Sequence, residues 1–337
     1  MLTDKHFKEL EDKGYTVVEN VISKADCDHA VNENKQWLTH FGNNFPKCFN
    51  SIIKDHNVGH METTWRLRLN TKPVFAQLWH TEKLLSSFDA IAIRRPPEDG
   101  VEEFQKPDGY WLHVDVTPSR IGLHAYQGAL YLEEQTKNDW TFLVMEGSHK
   151  HILKRFDEYP EKAERARKMG FYYSFAPDDV DYFKSMGCRL TRVPVGKGGM
   201  ALWDSRLVHA NARPLPKRKH AGRWRYVAFI SMTPAIWANE VDIAVHQEAY
   251  KKPTLTTHWS SQGVRVLQTS KTPWIPFPDT VPDIARTEEA LQLSGMVPYD
   301  FEDGKPNGDS FTPSWRKLEA PLAPELDLER HYANGHI

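Results

Sequence analysis

The sequence has few cysteines and no apolar run of membrane length. Its three cysteines, Cys27, Cys48 and Cys188, are widely spaced among 337 residues and form no C-x-x-C pair. This usage favours a reduced intracellular compartment over a disulfide framework. The opening "MLTDKHFKEL" lacks the apolar core of a signal peptide, and no apolar run approaches the roughly 20 residues of a spanning helix. We therefore expect a cytoplasmic protein that does not enter a membrane.

Charge of one sign is also scarce. The formal net charge is −2, which predicts no electrostatic bias toward nucleic acid or a membrane surface. The one basic run, "RPLPKRKHAGRWR" (213–225), is most simply a solvated loop, although a charged substrate stays open. "GKGG" (196–199) lacks the spacing of a phosphate-binding loop and predicts a turn. We expect a small-molecule substrate as partner, and nucleic acid is unlikely. The oligomeric state stays open, with a homodimer through the C-terminal extension as one arrangement.

Short strands separated by polar breaks dominate the middle of the chain. Thr3 and Gly14 bracket a first helix, "YTVVENV" (15–21) predicts a strand, and Ser23 caps a second helix. Segments within 110–147 and 188–234 have β character, interrupted by a charged helical insertion at about 154–186. This pattern favours a sandwich or barrel. We expect one domain over 1–250 and a proline-rich extension over 251–337 that packs on the core or a partner. A helix is expected within this extension near 284–294.

A histidine and an aspartate stand two apart in "WLHVDVTPS" (111–119). Residues two apart on a strand face the same side, so His113 and Asp115 would point into one interior. The same His-x-carboxylate spacing recurs at 60–62, 80–82 and 246–248, the last in a predicted helix where such residues do not share a face. The spacing alone therefore proves little, and a metal site needs a third ligand.

His209 is the candidate for that third ligand. It lies in "LWDSRLVHANARP", which we predict as one strand with the preceding "MA" after the glycine turn. Two histidines and one carboxylate on an octahedral face leave three positions open, as in non-haem Fe(II) oxygenases. The open positions suit a bidentate 2-oxo acid and O₂. The distal carboxylate of such an acid favours an arginine, and both Arg223 and Arg225 follow His209 on a predicted strand.

These segments together resemble the phytanoyl-CoA dioxygenase (PhyH) family of Fe(II)/2-oxoglutarate oxygenases. The resemblance spans roughly residues 1–235. It is carried by "GYTVVENVISKADCDHA", "SFDAIAIRRP", "HVD", "YQGALYLEE", "FLVMEGSHK", in which Glu146 replaces the family's proline, and "GKGGMALWDSRLVHANARP". It implies a mainly β fold with flanking helices around a double-stranded β-helix, or jelly-roll, core.

The resemblance also implies the chemistry. His113, Asp115 and His209 match the iron ligands, and Arg225, which directly precedes "YVAFISM", matches the 2-oxoglutarate arginine better than Arg223. The insert "PLPKRKHAG" places this arginine farther from the histidine than is common in the family. The implied reaction converts 2-oxoglutarate and O₂ to succinate and CO₂ while a small organic substrate is oxidised. Related halogenases have a small residue where Asp115 stands, so the carboxylate indicates hydroxylation or another oxidation.

Two other functions stay open, and several residues have less certain roles. A cupin-type metalloenzyme without 2-oxoglutarate would keep the barrel and the metal, and a non-catalytic ligand-binding barrel would keep only the fold. Gln127 is predicted to approach the cosubstrate or a ligand, or else to bond within the sheet. Further substrate contacts are expected from Trp111, Trp203, Arg94 and Arg206, although core packing or surface exposure explains each equally simply.

Overall fold

Antiparallel strands dominate the structure, a computed structural model that describes residues 1–99, 110–308 and 313–315. The α-helices in these residues are Asp4–Lys13 (α1), Lys24–Thr39 (α2), Glu62–Trp79 (α3), Ile152–Glu158 (α4), Pro160–Met169 (α5), Pro177–Ser185 (α6), Glu240–Lys251 (α7) and Glu288–Leu293 (α8). The strands are Tyr15–Val18 (β1), Ile52–Ile53 (β2), Leu84–Ser86 (β3), Ile91–Arg94 (β4), His113–Val114 (β5), Arg120–Ile121 (β6), Tyr126–Tyr131 (β7), Thr141–Glu146 (β8), Tyr173–Ser174 (β9), Arg189–Val193 (β10), Met200–Asp204 (β11), His209–Ala212 (β12), Arg225–Pro234 (β13) and Ser314–Trp315 (β14).

Two sheets form the core. The larger has the order β1-β11-β7-β13-β4-β2, with β3 also paired to β13, and the smaller has the order β10-β8-β12-β5-β9. The chain crosses repeatedly between them, so that β4, β7, β11 and β13 lie in one sheet and β5, β8, β10 and β12 in the other. Eight strands shared between two sheets in this way are a jelly roll, and the described strands form no closed barrel. The predicted fold class is confirmed.

The N-terminal elements follow the predicted signals. Thr3 is the N-cap of α1, where its amide donates to His6 Nδ1 (2.9 Å), and Gly14 ends the helix at φ 85°, a left-handed conformation that glycine adopts without strain. The Ser23 hydroxyl accepts a hydrogen bond from the Asp26 amide at the start of α2. Strand β1 then pairs with β11 at the edge of the larger sheet. The confirmed elements thus attach the first helix to the jelly roll.

Helix α3 lies in a region whose sequence has no clear periodic pattern. Most of its residues are buried on all sides, so it has no amphipathic stripe, and Pro73 lies inside it. A proline normally argues against a helix interior, which obscures the pattern further. The helix packs on β13 and helps to form the largest apolar cluster of the protein on the outer face of the larger sheet.

The prediction of a single strand through "MALWDSRLVHANA" was wrong. The chain turns after Asp204, where the Leu207 amide donates to the Asp204 carbonyl (2.8 Å), and it continues in the opposite sheet. Trp203 and His209 therefore lie on different sheets, and the expected strand parity between them does not apply. Both side chains nevertheless reach the space between the sheets, because each faces inward from its own sheet.

The structure has helices in both the predicted insertion and the predicted C-terminal extension. Helices α4, α5 and α6 with the short β9 occupy the first segment, and α8 lies within the predicted 284–294 region. The extension returns to the core at β14, which pairs with β6. The prolines of "APLAPELDLER" and the rest of the chain after residue 315 lie outside the described residues, and the predicted domain boundaries stay predictions. None of the described helices is long and apolar enough to cross a membrane.

Candidate metal centre and its cavity

Two histidines and one carboxylate meet between the sheets. His113 on β5 is the direct register partner of His209 on β12, and their ring centroids lie 4.3 Å apart. Asp115 follows β5 and places Oδ1 3.7 Å from His113 Nε2 and Oδ2 3.4 Å from His209 Nε2. One ligand atom from each residue lies within 4.8 Å of the other two, the only such group of three or more in the described chain.

The two imidazoles are oriented by the backbone. His113 Nδ1 lies 3.0 Å from the Trp111 carbonyl, and His209 Nδ1 lies 3.0 Å from the Leu207 carbonyl. Because a carbonyl only accepts, each Nδ1 carries the proton and each Nε2 keeps its lone pair. Both lone pairs are thus available to a cation beside Asp115, in the arrangement that metal-ligating histidines show.

The electrostatics of this cluster favour a cation. Burial by itself raises the pKa of Asp115, but the neighbouring His113 and His258 outweigh it, so the pKa lies below its ordinary value. Gln127 Nε2 donates a hydrogen bond to Asp115 Oδ2 (3.1 Å) and stabilises the ionised carboxylate. Burial, followed by the proximity of His113, lowers the pKa of His209 to about 3, so its imidazole is neutral near pH 7. One carboxylate and neutral imidazoles form a donor set for a divalent metal.

A cavity of about 530 Å³ opens beside the triad. Its walls are mainly apolar, and aromatic side chains account for much of them: Phe49, Trp111, Tyr131, Phe142, Phe171, Trp203 and Phe229. The volume falls in the range of small-molecule sites, which are concave and largely apolar with a few placed polar groups. The cavity therefore has room for a small organic molecule beside the candidate metal position.

Arg225 lies at one end of this cavity and has only neutral partners. Its side chain is buried at 1% exposure and donates to the Trp140 carbonyl (3.2 Å) and to Asn211 Oδ1 (2.9 Å). Its Nε has no hydrogen-bond acceptor, and among the described residues no carboxylate lies within ion-pair distance. A buried guanidinium that lacks a counter-charge is costly unless an anion completes it.

Three of the expected arginine contacts lie elsewhere. Arg223 precedes β13, so it does not share a strand face with Arg225, and it pairs with Glu134 (2.8 Å) and Asp139 (3.2 Å). Arg206 forms a two-bond pair with Asp204 through distances of 2.9 and 2.6 Å. Arg94 Nη1 lies 3.0 Å from Cys48 Sγ. None of the three is among the described residues that line the cavity, and the contacts expected of them stay predictions.

The two expected tryptophans do line the cavity. Trp111 stacks on His113 with centroids 3.8 Å apart and donates from Nε1 to Ser174 Oγ (2.9 Å). Trp203 packs against His209 from the opposite sheet at 5.2 Å. By contrast, His149 Nε2 lies 3.1 Å from the Glu11 carbonyl, and His149 is not among the described residues that line the cavity.

Several cavity residues were not predicted from the sequence. Asn211 stands two residues after His209, so the same-face rule for strands was a signal that could have identified it. Asp89 lies two residues before β4, and Thr257 and His258 lie in the irregular extension. The last two have no periodic pattern around them, and only the folded structure brings them to the cavity.

The fold and the cluster define a jelly-roll protein with a candidate two-histidine, one-carboxylate metal centre. A protein of Aspergillus versicolor described as "Ava biosynthesis cluster protein O" is 27% identical to the chain over 281 residues, which cover 76% of this chain and 87% of that protein. No protein-family model matches the chain.

Solved structures with a detectable likeness are distant. HygX from Streptomyces hygroscopicus, with nickel, 2-oxoglutarate and hygromycin B bound, has 17% identity and a TM-score of 0.45 over 69% of this chain and 88% of HygX. The carbocyclase SnoK from nogalamycin biosynthesis has 14% identity and a TM-score of 0.47 over 69% of this chain and 85% of SnoK. AviO1 from Streptomyces viridochromogenes Tue57 has 14% identity and a TM-score of 0.45 over 69% and 96%. Similarities at this distance do not establish a family.

Proposed function

We propose that this protein is an Fe(II)- and 2-oxoglutarate-dependent oxygenase of the phytanoyl-CoA dioxygenase type, which oxidises a small, mainly apolar organic substrate. The observation that carries the proposal is the pairing of two features in one cavity. His113, Asp115 and His209 present a facial donor set, and the buried Arg225 lies in the same cavity without a counter-charge. A metal explains the first feature, and an anionic ligand would supply the counter-charge that the second lacks.

The donor set fits iron. Two imidazole nitrogens and one carboxylate occupy one face of an octahedron and leave the other positions for ligands, which suits Fe(II). When bound, the iron with 2-oxoglutarate and O₂ would supply the oxidising chemistry, with release of succinate and CO₂. The protein's part is to hold Asp115 ionised through Gln127, to keep both histidine Nε2 atoms unprotonated, and to exclude bulk water with apolar walls.

Arg225 is the residue that we assign to the distal carboxylate of 2-oxoglutarate. Its two hydrogen bonds to Trp140 and Asn211 fix the guanidinium plane, while the unpaired Nε leaves bonding capacity for an anion. Arg223 lacks this capacity because Glu134 and Asp139 neutralise it. An arginine fork matches a carboxylate in geometry as well as charge.

The substrate is proposed to be a biosynthetic intermediate. The related Aspergillus versicolor protein is named for a biosynthesis cluster, and the aromatic walls of the cavity suit a molecule with apolar rings. Hydroxylation is the simplest outcome, because an ionised Asp115 occupies the metal face that a halogenating site would need to leave open. A screen of metabolites for stimulated succinate release would identify the substrate.

The proposal is tested by spectroscopy without a substrate. Anaerobic addition of Fe(II) and 2-oxoglutarate to the wild-type protein should produce a weak visible charge-transfer band. His113→Ala should abolish the band, whereas His149→Ala, which changes a histidine outside the cavity, should retain it. A wild-type protein without the band, combined with unchanged metal binding by His113→Ala, would sink the proposal. Iron bound by the triad with no response to 2-oxoglutarate would indicate the cupin-type alternative.

A further inference from the structure

Two adjacent residues present unpaired polar atoms to the cavity. Thr257 and His258 are 6% and 8% exposed, and both line the cavity. Thr257 Oγ1 and His258 Nε2 are buried, and neither has a hydrogen-bond partner among the described residues. An unmade bond at a buried polar atom costs free energy, so two such atoms at one wall indicate a missing partner. The proposed metal and 2-oxoglutarate site does not use either residue.

The wall that carries these residues is anchored to the core. Residues 255–267 form a hairpin-like segment in which the Leu267 amide donates to the Leu255 carbonyl and the Thr257 amide donates to the Arg265 carbonyl. Ser260 Oγ donates to the Ser231 carbonyl (2.8 Å) on β13. These bonds hold the segment in place, so its polar atoms have fixed positions in the cavity wall.

Asp89 adds a third polar group to this wall. The Thr256 amide donates to the Phe88 carbonyl (2.9 Å), which joins the segment before β4 to the one that carries Thr257 and His258. Asp89 lines the cavity and accepts one hydrogen bond from the Ala90 amide through Oδ1 (2.7 Å). We call Asp89, Thr257 and His258 the polar wall.

The chemistry of the polar wall selects a neutral group. His258 offers one donor and one acceptor when neutral, and Thr257 offers a hydroxyl that does both. The unpaired atoms belong to a hydroxyl and an imidazole, and the mainly apolar cavity walls disfavour an ionic group that lacks a counter-charge. A hydroxyl both donates and accepts, and it is compatible with the apolar rings around it.

We infer that the polar wall binds a hydroxyl group of an otherwise apolar substrate and so determines which carbon faces the metal triad. The inference rests on the proposed function, since it names the substrate class for the same cavity. Thr257 and His258 are positioning residues in this assignment, because they would hold the substrate and do not belong to the metal triad.

The test compares two ligands that differ by one hydroxyl. Calorimetry measures the dissociation constants of 2-naphthol and naphthalene for the full chain, once with Ni(II) and 2-oxoglutarate and once without either. Thr257→Val removes a hydroxyl at constant shape, and His258→Phe removes the ring nitrogens while keeping the packing on Trp259. Thr257→Ser retains the hydroxyl. Thr191→Val, a hydroxyl deletion outside the cavity, is the matched control.

Thr257→Val and His258→Phe should each lower the preference for 2-naphthol about fivefold, the effect of one lost neutral hydrogen bond. Thr257→Ser and Thr191→Val should keep the wild-type preference. Equal preferences in all variants, or no binding of either compound, would overturn the inference. A different result would separate the two proposals. If the wild-type protein bound neither Ni(II) nor 2-oxoglutarate but the two variants still lost the preference for 2-naphthol, the role of the polar wall would stand and the proposed function would be refuted.

Discussion

Replacement of Arg225 by glutamine tests the most specific element of the site. In the structure the guanidinium is buried and donates hydrogen bonds to Trp140 and Asn211. It forms no ion pair with a carboxylate among the described residues. Glutamine keeps a donor of similar reach but removes the charge and the fork. We expect Arg225→Gln to bind Fe(II) normally, because the residue does not belong to the metal triad, and to bind 2-oxoglutarate poorly.

The expected loss follows from the hydrogen bonds at stake. A hydrogen bond to a charged group contributes about 1.5–3 kcal/mol, and an arginine fork makes two of them to a carboxylate. Taking the lower value for each gives about 3 kcal/mol, which is roughly a 100-fold rise in the dissociation constant of 2-oxoglutarate. Burial increases the effect, since the cavity end has little water to replace the lost charge.

The measurement is an anaerobic titration of 2-oxoglutarate into the Fe(II)-loaded protein, followed by the charge-transfer band. Arg223→Gln is the matched control, because this arginine stands two residues earlier and pairs with Glu134 and Asp139 outside the cavity. It should change the dissociation constant less than about threefold, because its ion pairs lie outside the cavity and a distant change has little effect on the bound ligand. Thermal unfolding of both variants shows whether each remains folded.

Two results would refute this reasoning. If Arg225→Gln retained wild-type affinity for 2-oxoglutarate, the buried guanidinium would serve the fold alone. If Arg223→Gln lost as much affinity as Arg225→Gln, the cosubstrate would lie outside the cavity described here, near the loop that precedes β13.

Two further predictions concern stability. Burial lowers the pKa of His60 to about 3 and that of His246 to about 4, from 6.5. The folded protein therefore resists protonation that the unfolded chain accepts, so stability is full above pH 6.5 and falls below it. Each of the two histidines should lower the free energy of unfolding by about 1.4 kcal/mol when the pH falls from 7.5 to 5.5. Urea unfolding at the two pH values measures this loss, and an unfolding free energy that does not change with pH would contradict the prediction. Arg155 pairs with the buried Asp179 (2.8 Å), so Arg155→Met should lower the free energy of unfolding by about 3 kcal/mol. The control Lys154→Met removes an exposed ion pair and should lower it by less than about 1 kcal/mol. Equal losses in the two variants would show that the buried pair contributes no more than the exposed one.

The metal triad was accessible from the sequence because strand geometry is local. His113 and Asp115 are two residues apart, and such residues face the same side of a strand. The glycine turn before His209 and the alternation of polar and apolar residues around it predict a strand there as well. The sequence did not show that the chain changes sheets after Asp204, because a change of sheet depends on pairing partners far along the chain. The resemblance alone favoured Arg225 over Arg223, but it did not show that Glu134 and Asp139 pair with Arg223 from a distant loop.

The polar wall, in contrast, could not be predicted from local sequence patterns. Thr257 and His258 stand in a segment with no helical or strand period, and their position depends on bonds to β13 and to the strand connection at Phe88. A buried helix such as α3 was hidden for a related reason, because burial on all sides removes the amphipathic pattern. Features that are determined by long-range contacts leave little local signal.

Under the proposed function, the residues that would hold the metal and 2-oxoglutarate lie on different elements from several residues that would contact the substrate. The histidines of the triad and Arg225 lie on jelly-roll strands, whereas Phe49, Phe171 and Leu267 close the cavity from connecting segments. Rigid strands hold reacting groups more accurately than connections do. We therefore expect Phe171→Ala to weaken 2-naphthol binding roughly tenfold through lost apolar contact, with Fe(II) and 2-oxoglutarate affinities unchanged. Calorimetry on the loaded protein measures all three constants. A parallel loss of 2-oxoglutarate affinity would show that the helical insertion supports the metal side of the cavity as well, and the proposed division would be wrong.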